Sequence, residues 1–121
     1  MTISPAQLVA NWVEVFNTGD ADQLAAMYSP GATNFQVAEG EVTGRENIRV
    51  RFAEEFATAD MVCIVENIFE DGEWAILEWK DPLGLRGCGF FHVVNGEIVY
   101  QRGYWDKLSF LRQHDLPIPP D

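Results

Sequence analysis

Residues 87–113 read GCGFFHVVNGEIVYQRGYWDKLSFLRQ, and this stretch decides the fold. The pair Asn95-Gly96 separates two runs that are rich in aromatic and β-branched residues. Such a pair predicts a hairpin with a tight type I′ turn, because both central positions need a positive φ. An apolar pattern of helical spacing begins after Asp106. Two long strands and a closing helix therefore form a wall with one face that must be buried.

The composition is that of an acidic chain with a packed core. Of its 121 residues, 47% are hydrophobic and 12% aromatic, which predicts one folded domain spanning residues 1–121. The 19 acidic and 8 basic side chains give a formal net charge of −11. Because this charge repels phosphate backbones and anionic bilayers, we expect neither nucleic-acid nor membrane partners.

The start of the chain and its cysteines indicate a cytoplasmic protein. The opening MTISPAQL lacks the basic and apolar regions of a secretory signal, and no apolar run reaches the ~20 residues of a membrane span. Cys63 and Cys88 are too few for a disulfide framework, which favours reduced thiols. His92 and His114 add no close ligand spacing. We therefore expect no metal and no other cofactor.

Capping signals and apolar spacing predict three helices in the first half of the chain. The first begins after Ser4 and ends at Gly19, and the second begins at Asp20 and ends at residues 29–31. The second helix is expected to turn Leu24, Met27 and Tyr28 inwards. The third follows the capping box of residues 43–46. Its inner stripe consists of Ile48, Phe52 and Phe56.

The remaining pattern predicts strands near residues 32–37, 61–70, 73–81, 84–94 and 97–105. Helices followed by a mostly antiparallel sheet and a short last helix define an α+β domain. Alternation places Trp79, Phe91 and Trp105 on one face and Trp74, Phe90 and Tyr104 on the other. Both faces are apolar, so we expect a sheet that curls around a helix-lined cavity. The outer face then forms a homodimer.

Three glycines, Gly87, Gly89 and Gly103, share the face assigned to the cavity, where they remove side-chain bulk or mark bulges. We expect one cavity for a small apolar or aromatic molecule. The residues predicted to surround it are Trp12, Gln36, Phe56, Trp79, Phe91, Gln101 and Trp105.

Three segments together resemble the nuclear transport factor 2-like superfamily: NTGDADQLAAMYSPGAT (17–33), TGRENIRVRF (43–52) and FFHVVNGEIVYQRGYWDKLSFLRQ (90–113). The ending YWDKLSFLRQ is most similar to SnoaL-like proteins of the polyketide cyclase type. The resemblance implies a cone-shaped barrel whose curved sheet wraps around the N-terminal helices, and dimers are common in such proteins. The fold hosts enzymes and non-enzymes, so function depends on the site.

The acid and base of ketosteroid isomerases, which belong to this superfamily, are missing here. By the resemblance, Trp12 stands where they carry a tyrosine and Gln36 where they carry the carboxylate base. Gly89 falls at the position of their protonated acid. Neither Trp12 nor Gln36 can accept a proton at neutral pH. The enolisation residues of that family are therefore not expected in this chain.

Limonene-epoxide hydrolases resemble the fold but use an Asp-Arg-Asp arrangement. Asp81, Arg102 and Asp106 are the available parts. Alternation turns Arg102 away from Asp81, and Asp81 is expected to be solvated at a turn. We therefore assign no such triad.

The SnoaL-like resemblance implies proton transfer by an acidic residue and a histidine. Asp106 and His92 could meet across the last hairpin, with burial beside Trp105 raising the pKa of Asp106. Two alternatives stay open: Asp106 caps the last helix, and His92 is a structural residue of the outer face. The chain is thus predicted to be a small-molecule pocket protein of the SnoaL-like group; if it is an enzyme, it is a cofactor-free cyclase, isomerase or hydratase that acts by general acid–base chemistry on an apolar carbonyl compound. The alternative is a non-catalytic ligand-binding or dimeric interaction domain.

Overall fold

The computed structural model describes residues 3–120 and contains four helices and six strands within them. The helices are α1 (Pro5–Thr18), α2 (Ala21–Ala25), α3 (Arg45–Thr58) and α4 (Lys107–Gln113). The strands are β1 (Tyr28–Gln36), β2 (Gly40–Thr43), β3 (Ile64–Asp71), β4 (Trp74–Lys80), β5 (Arg86–Val94) and β6 (Glu97–Trp105). No helix among these residues combines the length and the apolar character that crossing a bilayer requires.

The six strands form one curled, unclosed sheet in the order β2-β1-β6-β5-β4-β3. Every neighbouring pair is antiparallel except β1 and β6, which run parallel. Asn95 and Gly96 have φ values of 52° and 78°, as a type I′ turn between β5 and β6 requires. The predicted α+β class, with a curved sheet around the N-terminal helices, is confirmed.

The predicted start and end of the first helix and the predicted start of the second are also confirmed. The Ser4 hydroxyl accepts a hydrogen bond from the Gln7 N–H, and Gly19 ends α1 in the left-handed conformation at φ 72°. The Asp20 carboxylate caps α2 by accepting from the Gln23 N–H.

The region between α2 and α3 differs from the prediction. The second helix ends at Ala25, and residues 29–31 lie within β1 rather than in a break. Pro30 is tolerated there because the register between β1 and β6 is irregular from Tyr28 to Thr33, so its missing N–H costs no ladder bond. Tyr28 consequently belongs to the sheet, not to a helix.

The capping box predicted for residues 43–46 is wrong. Thr43 ends β2, a short strand without an alternating apolar pattern, and its hydroxyl lies 3.0 Å from the Thr33 hydroxyl across the ladder. Gly44 is the residue before α3 and supplies no side-chain cap. The hydroxyl of Thr43 thus serves strand pairing instead of helix capping.

The core fills the space between the inner face of the sheet and helices α1 to α3. The Trp12 ring packs against Phe16 at 5.1 Å and against Phe91 at 5.1 Å between ring centroids. The predicted stripe of α3 is confirmed, since Ile48 and Phe52 are buried and Phe56 stacks on Phe52. A bulge between His92 and Val93 shifts the alternation at the hairpin.

The outer face of the sheet carries the aromatic residues that alternation placed there. Arg102 lies over the Phe90 ring at 4.9 Å, with the rings of Tyr100 and Tyr104 within 6 Å. The predicted separation of Arg102 from Asp81 is confirmed by this position. Tyr104 remains 42% exposed in the single chain.

Candidate functional site

A cavity of about 520 Å³ opens between the inner face of the sheet and the helices α1, α3 and α4. Six of the seven residues predicted to surround a cavity line it: Trp12, Gln36, Trp79, Phe91, Gln101 and Trp105. Phe56 does not, because it packs behind the lining against Phe16 and Phe52. The role of these residues as ligand contacts stays a prediction.

Glycines on the inner face make room for the side chains that shape the cavity. Gly87 stands directly between Trp79 and Trp105 in the ladder, so these two tryptophans share one face as predicted. A side chain at Gly87 would overlap the Trp79 ring, and one at Gly103 would overlap the amide of Gln36. The glycines thus leave space next to the backbone, and side chains from neighbouring strands fill that space.

The floor of the cavity is polar and is built where β1 meets β6. Asn34 and Gln101 are only 5% and 4% exposed and are partners in the parallel register. Gln36 pairs in the same ladder with Gly103. Three amide side chains from two strands therefore lie together at the floor of the cavity.

Two chains of hydrogen bonds hold these amides. In the first, the Trp105 indole Nε1 donates to Gln36 Oε1 at 3.0 Å, and Gln36 Nε2 donates to Asn34 Oδ1 at 2.7 Å. In the second, the Trp12 indole Nε1 donates to the Tyr28 hydroxyl at 3.0 Å, and that hydroxyl donates to Gln101 Oε1. Each chain begins at an indole and ends at an amide of the floor.

Tyr28 is fully buried, and it keeps its proton. Burial, supplemented by the negative charge of Glu55, raises the pKa of Tyr28 far above its usual range. Its hydroxyl is therefore a hydrogen-bond donor to Gln101 throughout the physiological pH range.

Glu55 is a carboxyl group on the helical wall of the cavity, and its pKa is strongly raised. It lies on α3, three residues after Phe52, and lines the cavity. Burial, with the negative charge of Glu39, raises its pKa to about 7 against the opposing effect of Arg51. Among residues 3–120 its carboxylate has no ion-pair or hydrogen-bond partner. Glu55 can therefore both accept and donate a proton near neutral pH.

A second titratable group at the cavity is the pair of Asp81 and His114. Asp81 is 7% exposed, so the expectation of a solvated turn residue is wrong. One carboxylate oxygen accepts hydrogen bonds from the N–H groups of Leu83 and Leu85, each at 2.9 Å, which close the turn around it. The other oxygen lies 3.3 Å from His114 Nε2, and both residues line the cavity.

The predicted pairing of His92 with Asp106 is wrong. His92 pairs with Tyr100, which stands six residues before Asp106 and hence roughly 20 Å from it along β6. His92 lies on the outer face, stacked on Trp74 at 4.7 Å with Nε2 3.0 Å from a Glu73 oxygen. Neither His92 nor Asp106 lines the cavity.

Asp106 caps α4, which was the alternative interpretation. Its carboxylate accepts from the Leu108 N–H at 3.3 Å and from the Ser109 hydroxyl. It is exposed, and these bonds, that of Ser109 first, hold its pKa below the usual range. The expected burial and raised pKa are therefore wrong, and no proton transfer at Asp106 is supported by the geometry.

The thiols are unsuited to nucleophilic or metal chemistry. Burial raises the pKa of Cys63 to about 12 and also raises the pKa of Cys88. Within residues 3–120 no three His, Cys, Asp or Glu side chains are grouped so that they could hold a metal ion. The expectation that the protein uses no cofactor stays a prediction.

Sequence reasoning missed Asn34, Glu55 and His114. The first two carried a usable signal, because Asn34 shares its strand face with Gln36 and Glu55 lies one turn after Phe52 on the inner stripe of α3. His114 had none, since it follows the last helix and reaches Asp81 only through the tertiary fold.

Comparison with known proteins agrees with this architecture. A structure from Catenulispora acidiphila, described as a ketosteroid isomerase-like fold in complex with trimethylamine, matches with TM-score 0.84 and 20% identity over 98% of this chain and 100% of that one. SalBIII, described as an epoxide hydrolase/cyclase-like enzyme in pyran ring formation, matches with TM-score 0.73 and 21% identity over 84% and 90%. A SnoaL-like protein of unknown function from Burkholderia thailandensis matches with TM-score 0.77 and 14% identity over 84% and 94%. At these identities the likeness concerns the fold, and no curated protein matches the sequence.

A curled sheet that encloses a cavity against its N-terminal helices defines the class of nuclear transport factor 2-like proteins. Within that class, the profile of the SnoaL-like domain matches residues 9–101. The chain belongs to the SnoaL-like domain family.

Proposed function

We propose that this protein binds a small, largely apolar carbonyl compound in its cavity and transfers protons to and from it without a cofactor. The observation that carries the proposal is that two proton-transfer groups, Glu55 and the Asp81–His114 pair, open onto one aromatic cavity. Cyclisation, isomerisation and hydration of carbonyl compounds all require proton transfers of this kind. We also propose that residues 1–121 act as one functional domain.

Glu55 is proposed as the proton acceptor. A carboxylate with a pKa of about 7 is a stronger base than an ordinary glutamate and is still charged in a large fraction of molecules at neutral pH. It would take the proton from the carbon next to the carbonyl group. The C–H bond electrons then form a C=C bond to the carbonyl carbon while the C=O π electrons move to the oxygen, and the enolate recovers a proton at the same or another carbon.

His114 is proposed as the second proton-transfer group. The Asp81 carboxylate can accept a hydrogen bond only from a protonated ring nitrogen, so it favours the tautomer with hydrogen on Nε2. The other nitrogen, Nδ1, then carries the lone pair that accepts a proton. Asp81 is a positioning residue here, since its own oxygens are occupied by two backbone N–H groups and His114.

Exchange of carbon-bound hydrogen tests the proposal without knowledge of the natural substrate. The α-hydrogens of 2-tetralone would be followed by NMR in D₂O with catalytic amounts of protein. We expect faster exchange than in buffer, and a loss of about 10²-fold or more in Glu55→Gln. Glu14→Gln removes the same charge from an exposed residue of α1 that does not line the cavity and should keep the rate. Equal rates for wild type and Glu55→Gln would refute the role of Glu55.

Binding without catalysis is a second candidate function, and the state of Gln36 favours it. Gln36 occupies the position at which the ketosteroid isomerase resemblance expects the base, and both ends of its amide are engaged by Trp105 and Asn34. A protein that binds 2-tetralone, detected by equilibrium dialysis, but does not accelerate its exchange would belong to this class.

Assembly into a homodimer through the outer face of the sheet is also proposed. Trp74, Phe90 and Tyr104 form an aromatic surface there, with the Arg102 guanidinium over the rings of Phe90 and Tyr104. Sedimentation at micromolar concentration should give twice the 13.7 kDa monomer mass. Tyr104→Lys should yield monomers, and a purely monomeric wild type would refute the assembly.

We also propose a cytoplasmic location, because the free thiols Cys63 and Cys88 favour a reducing compartment.

A further inference from the structure

The two hydrogen-bond chains of the cavity floor have a fixed direction, because an indole N–H can only donate. Trp105 Nε1 donates to one end of the Gln36 amide, so that end must be the oxygen Oε1 and not the NH₂ group. The other end of Gln36 is then the NH₂ group, which donates to Asn34 Oδ1. The amide of Asn34 is thereby oriented as well, with its NH₂ group pointing away from Gln36.

The second chain gives the same result at Gln101. The Tyr28 oxygen accepts from the Trp12 indole, so its own proton is directed to Gln101 Oε1. Because Tyr28 keeps its proton, Gln101 cannot turn its NH₂ group towards the hydroxyl without losing this bond. The NH₂ group of Gln101 therefore points away from Tyr28.

Both oriented NH₂ groups open onto the cavity. Asn34 and Gln101 are register partners on adjacent strands, about 4.8 Å apart at the backbone and on the same face. Among residues 3–120, neither amide nitrogen has a hydrogen-bond partner. Within the same residues, Nε of Arg102, on the outer face, is the side-chain polar atom that is both buried and without a partner. The two amide nitrogens have no partner either, so they are not fully buried. Because Asn34 and Gln101 both line the cavity, their nitrogens are accessible from it.

We infer that Asn34 and Gln101 form a two-donor subsite for a single acceptor oxygen of the ligand, a carbonyl, enolate or phenolate oxygen. The subsite offers donors and no acceptor, so it discriminates against groups that must themselves donate, such as ammonium. Orientation by Trp12 and Trp105 means that no amide has to turn when the ligand binds. This inference rests on the proposed function of the cavity as a ligand site.

A matched pair of probes separates the subsite from the cavity. 2-Acetonaphthalene and 2-isopropenylnaphthalene have the same shape, but the first has C=O where the second has C=CH₂. Equilibrium dialysis at pH 8 should show that wild type binds the ketone about tenfold more tightly than the alkene, as expected for two hydrogen bonds made in the cavity. The infrared C=O stretch of the bound ketone, labelled with ¹³C, should lie below its value in hexane.

Two isosteric substitutions each convert a hydrogen-bond donor of the subsite into an acceptor. Asn34→Asp still accepts from Gln36, and Gln101→Glu still accepts from Tyr28, but each replaces the free NH₂ group with an acceptor oxygen. Both should reduce the preference for the ketone to about one or below, because the carboxylate oxygen repels the carbonyl. Gln23→Glu, an exposed amide outside the cavity, should retain the tenfold preference.

The outcomes distinguish the subsite from the cavity itself. Equal binding of the two probes by wild type, with an unshifted C=O stretch, refutes the two-donor subsite and leaves the ligand-binding cavity intact. Binding of neither probe at millimolar concentration refutes both. The wild-type measurements need no variant, so a failure of Asn34→Asp or Gln101→Glu to fold does not weaken the test.

Discussion

The raised pKa of Glu55 predicts a pH-dependent gain in stability on substitution. The folded protein holds the Glu55 proton up to a pKa of about 7, whereas the unfolded chain releases it at the ordinary value of 4.5. Stability from this group is therefore present below pH 4.5 and is lost as the pH rises through 7. A pKa displaced by one pH unit corresponds to about 1.4 kcal/mol, so the charged carboxylate costs the folded state about 3 kcal/mol at pH 8.

Glu55→Gln keeps the shape of the side chain and removes this cost. We expect its advantage over wild type in the free energy of unfolding to grow by about 2 to 3 kcal/mol between pH 5 and pH 8. Urea unfolding at half-unit pH intervals, followed by tryptophan fluorescence, measures the difference directly. Glu14→Gln is the matched control, because it removes an exposed charge on α1 that does not line the cavity, and it should show a much flatter difference.

Parallel stability curves for wild type and Glu55→Gln would refute the reasoning. They would mean that Glu55 titrates alike in the folded and unfolded states, so that it is solvated rather than held against the cavity. The proposed base would then lose the property that suits it to proton transfer at neutral pH.

Three further predictions concern stability. Tyr28→Phe leaves an indole N–H and an amide oxygen without their buried partner and should cost about 2 kcal/mol in urea unfolding, whereas the exposed Tyr104→Phe should be nearly neutral. Gly103→Ala drives a methyl group into a floor amide and should cost about 1 to 3 kcal/mol, whereas Gly31→Ala meets open space and should cost much less. Asp106→Ala should lower the urea midpoint through the lost cap, and Asp106→Asn should leave it nearly unchanged, with no loss of ketone exchange in either variant.

Local signals in the sequence were sufficient for most of the fold. The Asn95-Gly96 turn fixed the last hairpin, and simple alternation placed Trp79 and Trp105 on one face because no bulge separates their ladder partners. Alternation is less reliable near His92, where a bulge exchanges the roles of neighbouring residues. The short strand β2 carries too few residues for a period to be recognised.

The candidate site was predicted only in part, because its chemistry depends on contacts between distant residues. Asp81 looked solvated beside Pro82, yet the turn to Leu85 folds around its carboxylate and the chain end brings His114 to it. Asp106 was predicted to be an acid of the cavity, yet its carboxylate accepts a hydrogen bond from the Leu108 N–H and caps the start of α4. Residue type and face could be inferred, but the partner of each polar group could not.

The parallel pairing of β1 with β6 has a consequence for the order of assembly. Strands β3 to β6 can form as successive hairpins with short connections, which carry the tryptophan walls. The floor requires Asn34 to meet Gln101 across 66 intervening residues, a closure that long-range loop entropy makes slow and late. A folding intermediate would thus contain the tryptophan walls of the cavity but not yet the pair of amide donors on its floor. A ligand that engages both amides would bind only the completed protein and would stabilise it by mass action, so its binding rate during refolding reports the final closure step.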